Sequence, residues 1–171
     1  MTHSSFICET PRLVIRRLED GDAPLLLRLM NEPSFLENIG DRGVRSLDDA
    51  RTYLANGPFA SYAQHGFGLF HVALKDGGVE IGMCGLLKRD WLEAPDVGFA
   101  FFPQYWSKGY AYESSVGIFD WARRTHGVTR VVGIVKPGNQ GSIRVLEKLG
   151  MKFTRVVSSP EGQVSNLYVP D

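Results

Sequence analysis

The stretch DVGFAFFPQYWSKGYAYESSVGIFDWARR, residues 96–124, changes its hydrophobic period partway along. From Asp96 to Phe102 it is short, rich in aromatic and β-branched side chains and free of proline until Pro103, which predicts a buried strand. From Tyr110 onward, Ala111, Ser115, Ile118, Phe119 and Ala122 recur at helical spacing, with Glu113, Asp120, Arg123 and Arg124 off that stripe. A strand therefore feeds a helix. Between them, Trp106-Ser107-Lys108-Gly109-Tyr110-Ala111 supplies a glycine and a small residue that let the backbone come close to a ligand. The first N–H groups of a helix have no intrahelical partner and carry the positive end of its dipole, so this turn reads as an anion site suited to a phosphate.

A glycine turn of this kind is common by itself, and a second stretch gives it weight. TRVVGIVKPGNQGSIRVLEKLGMKF, residues 129–153, predicts a strand apolar on both faces, a Pro137-Gly138 turn, and a short helix with Ile143, Leu146 and Leu149 on one side. Asn139 is a natural N-cap there and Gly150 a natural stop.

Together the two stretches resemble the GNAT family of acyl-CoA-dependent N-acyltransferases, in the branch of the RimJ/RimL-type ribosomal-protein N-terminal acetyltransferases. The resemblance runs from Thr10-Pro11-Arg12-Leu13 to Asn166-Leu167-Tyr168. In the family's pyrophosphate loop, Q/R-x-x-G-x-G/A, Gly109 and Ala111 fill the last two defined positions, and Trp106 stands where Gln or Arg is usual. That departure removes a side-chain ligand and spares the backbone amides. Asn139-x-x-Ser142 followed by Glu147-Lys148-Leu149-Gly150 matches the family's second signature. The resemblance implies one α/β domain over residues 10–170, with residues 1–9 as an N-terminal extension. Its mixed central sheet of six or seven strands would be flanked by helices, with two parallel strands splayed at the centre.

Acyl transfer from a thioester to an amine needs a held co-substrate, a neutral amine, a stabilised oxyanion and a proton for the departing thiolate. By resemblance the co-substrate is acetyl-CoA. The loop Trp106, Ser107, Lys108, Gly109, Tyr110 and Ala111 would hold its pyrophosphate, with Lys108 as an electrostatic helper. The backbone of Phe99, Phe101 and Phe102 would take the pantetheine and aim an N–H at the thioester oxygen, and Asn139 would contact the pantetheine. Such a preorganised donor contributes about 3 kcal/mol in other acyl-transfer sites. Asp96 is the candidate base, with Glu93 behind it; Ser142 is the candidate acid, with Tyr168 more distant. About a tenth of an α-amine is already neutral at pH 7, which relaxes the need for a base. Neither cysteine sits in a nucleophile–base motif and no Gly-x-Ser-x-Gly elbow occurs, so direct attack in a ternary complex is expected.

The remaining sequence bounds the partners. Nineteen Lys and Arg balance nineteen Asp and Glu, which argues against nucleic acid or an anionic membrane as partner. Cys8 and Cys84 fit no metal spacing and the four histidines are scattered, so no metal is expected. The opening MTHSSFICETPR has no leader pattern, and the expected compartment is the cytoplasm. Further expectations are a strand over residues 12–18, Asp22 capping a helix that ends at Asn31-Glu32-Pro33, and an irregular loop over 34–43. By resemblance that loop helps wall the acceptor cleft. A helix capped by Ser46 should break at Asn56-Gly57-Pro58; strands over 68–74 and 80–88 should form a hairpin, and strands over 151–158 and 163–169 should close the fold.

Two other classes stay open at this point. A non-catalytic acyl-CoA-binding or sensor module would carry the same signatures. A Rossmann-type protein would need a glycine-rich loop after the first strand, and residues 12–22 hold none. The acceptor, a protein N-terminus or a small-molecule amine, is not encoded in any of these features, and a homodimer stays open.

Overall fold

Alternating or continuous apolar runs pair as antiparallel strands throughout residues 5–171, the part of the chain described by the computed structural model. β1 (Phe6–Glu9), β2 (Leu13–Arg17), β3 (Leu69–Leu74), β4 (Glu80–Leu87) and β5 (Asp96–Phe101) form a five-stranded sheet in chain order. β6 (Gly133–Val135), β7 (Met151–Ser158) and β8 (Val164–Pro170) form a second sheet with β8 in the middle. One parallel bridge, Asp96 to Val132, ties the two together: Val97 N–H donates to the Val132 carbonyl and Val132 N–H to the Pro95 carbonyl, each at 2.9 Å.

The expected α/β class holds, while the sheet differs in count and continuity, with eight strands in two sheets among the described residues. All of β1 lies in the segment expected to be an extension: Phe6 to Glu9 pair with β2, while residues 1–4 of that segment lie outside the described residues.

Helices cover both faces of the larger sheet. On one face α5 (Tyr110–His126) packs Ile118 and Ala122 against Leu13, Ile15, Phe70, Val72 and Ile81. On the other, α1 (Ala23–Leu29), α2 (Pro33–Asn38) and α3 (Leu47–Leu54) bury Leu25, Leu26, Leu29, Phe35 and Leu54 around Met83 and Phe102. The smaller sheet is backed by α6 (Gln140–Lys148), whose Leu146 side chain lies where a Cβ on Gly133 would come within 2.6 Å. Gly85 has a similar cause: its Cβ would stand 1.9 Å from the Gly68 carbonyl.

Three local expectations are corrected. Asp22 stands at the N-cap position of α1 but its side chain makes no cap hydrogen bond; its carboxylate accepts the Arg16 guanidinium at 2.8 and 2.9 Å and the Glu19 N–H at 2.8 Å. Residues 34–43 are not wholly irregular, because Pro33 begins α2 at a position where a missing N–H costs nothing. Asn56-Gly57-Pro58 does not break the chain's helical path. A π-helical turn over Ala55–Phe59 takes in Pro58, and α4 (Ala60–His65) follows directly. The wider turn accommodates the ring that would clash in an α-helix. Ser46 does cap α3, accepting the Asp49 N–H at 3.0 Å.

Candidate active site

Past the Asp96 bridge, β5 and β6 part. Val97 directs its N–H toward Val132, and Phe102 donates to Ile81 on the opposite side at 3.0 Å. With the period-two alternation of a strand, the N–H and C=O of Phe99 and Phe101 face the opening, while those of Phe102 face β4. The splay is therefore real, and its polar edge is furnished by two of the three phenylalanines assigned to it. Phe102 is the exception: its ring is 5% exposed, packed in the core among α1–α3, and the Arg28 guanidinium lies 5.2 Å from its centroid.

Two cavities meet at this opening. The first, about 630 Å³, runs between β5, β6 and the β7–β8 turn, and is lined by Arg42, Tyr53, Arg89, Asp96, Lys136 and Glu161 among others. The second, about 460 Å³, runs toward the start of α5 and is lined by Phe101, Trp106, Ser107, Gly109, Tyr110 and Ala111. Phe99, Asn139 and Ser142 line both, and so do Phe35, Asn38 and Ile39 of the segment read as a loop. A ligand long enough to fill the second cavity would have its end delivered into the first.

The turn expected to hold the pyrophosphate runs directly into α5. Gly109 takes a left-handed conformation (φ 85°) as the N-cap of α5, and Ser107 also has positive φ (61°), so the chain turns sharply and presents the first-turn amides. Glu113 in that turn is pinned from outside: it accepts from the Thr10 hydroxyl, from Arg12 N–H at 3.0 Å and from Arg12 Nε at 2.7 Å. Burial works against its charge, but these donors hold its carboxyl below the usual range. The Arg12 guanidinium also lies 4.4 Å from the Tyr110 ring centroid. Trp106 has its own task, donating Nε1–H to the Phe101 carbonyl at 2.9 Å and so tying the loop to the strand end. Lys108 is exposed and lines neither cavity; Arg144 and Lys148, which sequence reasoning missed, are the cations that line the second.

The second signature forms a small reciprocal unit. Asn139 Oδ1 accepts the Ser142 N–H at 3.4 Å as the cap of α6, and its Nδ2 donates to Ser142 Oγ at 3.1 Å. Because the Ser142 oxygen is already accepting, its own hydrogen is available to point into the junction of the cavities.

The candidate acids and bases fare differently. Asp96 is 1% exposed, accepts Arg89 Nε at 3.0 Å, and lies three residues before Phe99, or about 10 Å along the strand. Burial pushes its carboxyl up to about 6, with Arg89 pulling the other way. That separation does not bring it to hydrogen-bond reach of an amine attacking beside Phe99. Glu93 is exposed, paired with Arg130 at 3.1 Å, and lines neither cavity. Tyr168 is buried against Phe153 and also lines neither.

A cluster invisible in the sequence is Asp22, His71 and Glu80, whose ligand-type atoms lie within 4.8 Å of one another. Arg16 already supplies the cation there through its two contacts to Asp22, and His71 Nε2 pairs with Glu80 at 2.6 Å.

Comparison with known proteins agrees with this geometry. The model of the Acetyltransferase (GNAT) domain matches residues 12–152. The uncharacterized N-acetyltransferase YnaD of Bacillus subtilis (strain 168) is 28% identical over 143 residues, covering 84% of this chain and 81% of its own. An acetyltransferase from Agrobacterium tumefaciens str. C58 superposes with a TM-score of 0.80 at 24% identity, over 100% of this chain and 96% of that one. RimL, the ribosomal L7/L12 α-N-protein acetyltransferase solved in complex with coenzyme A, shares the fold with a TM-score of 0.82 at 14% identity, over 96% of each chain. With a family match spanning most of its length and a glycine-capped helix facing a parted pair of strands, the chain belongs to the GNAT acetyltransferases.

Proposed function

We propose that this acyl-CoA-dependent N-acetyltransferase moves an acetyl group from acetyl-CoA to a primary amine, a protein N-terminus or a small molecule, by direct attack within a ternary complex. The observation that carries the reading is the meeting of two cavities at Phe99 and Ser142, on the open edge of β5. The second cavity fits acetyl-CoA by its chemistry: first-turn amides of α5 and the cations Arg144 and Lys148 suit phosphates, and the open main-chain groups of Phe99 with the N–H of Phe101, whose carbonyl is taken by Trp106, suit the amides of pantetheine. Acetyl-CoA supplies an activated thioester.

The chain's own groups then have separate tasks. Phe99 N–H faces the position of the developing oxyanion and stabilises it without reorganising. Ser142 Oγ–H, held in place by Asn139, hydrogen-bonds the departing sulfur and relays a proton to it, regaining one from water so that the side chain ends neutral. No base within hydrogen-bond reach is invoked, since the neutral fraction of an α-amine suffices to begin attack and solvent in the first cavity takes up the proton. Asp96 serves instead to orient Arg89.

The cysteines support direct attack. Cys84 is fully buried beside Ser115, and burial pushes its thiol up; Cys8 is raised to about 11 for the same reason, and neither lines the first or the second cavity. We further propose a cytoplasmic, RimJ/RimL-like role for the chain. Initial rates of CoA release, with acetyl-CoA and amine both varied, test the mechanism. Intersecting double-reciprocal lines are expected; parallel lines would sink the ternary complex, and binding of acetyl-CoA without release for any amine would favour a sensor module.

A further inference from the structure

Donors without acceptors collect on one wall of the first cavity. Arg42 lines it and makes no hydrogen bond or ion pair among the described residues. Arg89 is anchored through Nε to buried Asp96, with its guanidinium carbon 5.9 Å from the Trp91 centroid, and its Nη groups make no hydrogen bond among the described residues. The hydroxyl of Tyr53, which lines the same wall, likewise has no hydrogen-bond partner among the described residues. Burial raises the Tyr53 pKa while the charges of Arg42 and Arg89 both oppose the rise, so the hydroxyl is a donor at neutral pH and both guanidinium groups lie near it.

The cavity's other charges do not answer these donors. Asp96 is already paired, Lys136 Nζ donates to the Glu37 carbonyl at 2.7 Å, and Glu161 is exposed on the turn between β7 and β8.

We propose that the acceptor amine also carries a carboxylate, and that Arg42, Arg89 and Tyr53 bind it at the end of the cleft away from Ser142. A planar guanidinium matches a carboxylate with two parallel hydrogen bonds, and a second cation beside it repels a polycationic amine. Asp96 is the positioning residue: buried, it fixes Nε of Arg89 and leaves the fork turned to the cleft. This rests on the first cavity being the acceptor site. Two carriers of the carboxylate are chemically equivalent to it, an amino acid and a short peptide with an acidic residue or free C-terminus.

The test measures kcat and KM by CoA release for matched acceptors: an amino acid and its amide, a tripeptide and its C-terminal amide, and a polycationic aminoglycoside. Calorimetry with acetyl-CoA runs in parallel on each variant. Each acid is expected to exceed its amide in kcat/KM by about tenfold to a hundredfold, carried in KM, as charge-assisted hydrogen bonds would give. Whether the amino-acid or the tripeptide pair shows the larger ratio identifies the carrier. Arg42→Ala should bring acid and amide close to parity by raising KM for the acid alone, and Arg42→Lys should restore part of the preference. Arg89→Ala should act likewise, with thermal unfolding checking that the loss of Asp96's partner has not unfolded the chain. Preference for the amide or the aminoglycoside by the intact protein would overturn the proposal and leave the acetyltransferase reading standing, as would an Arg42→Ala effect equal on acid and amide. No acetyl-CoA binding and no CoA release with any amine would overturn both.

Discussion

Replacing Gly109 by alanine tests whether the start of α5 is an amide cradle held by backbone conformation. Gly109 sits at φ 85° and ψ 5°, a left-handed conformation that costs an L-residue about 1–2 kcal/mol. The new Cβ would lie 3.2 Å from Arg12 Nη2, the free end of a long side chain that can swing aside, so the strain is conformational more than steric. That free energy can emerge in two places. If the backbone keeps its shape, folding stability falls by about 1–2 kcal/mol and acetyl-CoA affinity stays. If the backbone relaxes, stability falls less and the amides of Tyr110 and Ala111 lose their aim, weakening acetyl-CoA binding by about fivefold to thirtyfold for the same free energy. Urea denaturation and calorimetric titration of one preparation read both, and their losses should sum to about 1–2 kcal/mol. A variant unchanged in both would refute the reasoning, since the left-handed cap would then be unnecessary to fold and site alike.

Ser142→Ala should lower kcat about a hundredfold, the low end for a general acid, with KM for acetyl-CoA unmoved; an unchanged kcat would reduce Ser142 to a partner of its cap. Asp96 carries a pH signature: its folded carboxyl is about 6 against an ordinary 3.8, so stability should fall by about 3 kcal/mol as pH rises from about 4 through 6. Asp96→Asn should remove that slope in urea midpoints taken from pH 4 to 8, and an equal difference between the two proteins at every pH would contradict it. Gly85→Ala should cost about 3 kcal/mol or more in chemical denaturation, because backbone faces backbone at 1.9 Å and neither can rotate away.

Where local physics decides a structure, the sequence was readable. The strand ending before Pro103, the helix from Tyr110, the Asn139 cap and the hairpin from Leu69 to Leu87 all follow from periodicity and turn chemistry confined to neighbouring residues. Pro33 looks like a stop by local chemistry but starts α2, which walls both cavities and carries no periodic signal of its own in six residues. Long-range pairing was harder. β1 has only four residues and Phe6 is 52% exposed, so its place is set by the ladder to β2 and carries little apolar signal. Asp96 misled for a related reason: at a strand end it resembles a solvated carboxylate, and only the bridge to Val132 and the partner Arg89 bury it. Side chains from distant segments, such as Arg42, Tyr53 and Arg89, share a cavity that no local pattern announces.

The parting of the strands is itself a consequence of what surrounds β6. Its backbone is paired on one side by β8, through Gly133 with Tyr168, Ile134 with Leu167 and Val135 with Asn166. Leu146 of α6 presses against Gly133, where no side chain could be admitted, and Lys136-Pro137 ends the strand after three residues. β5 is held in turn by six register pairs to β4, from Gly82 with Phe101 to Leu87 with Asp96. Each strand therefore follows its own sheet, and beyond Asp96 neither can satisfy the other. Main-chain groups left open in this way are costly in a dry interior but tolerable beside a solvent-filled cavity. They are also a template that an extended amide-bearing chain completes as an added strand. Filling it should stabilise the junction of the two sheets, so the same hydrogen bonds that hold the co-substrate would hold the acceptor cleft in shape.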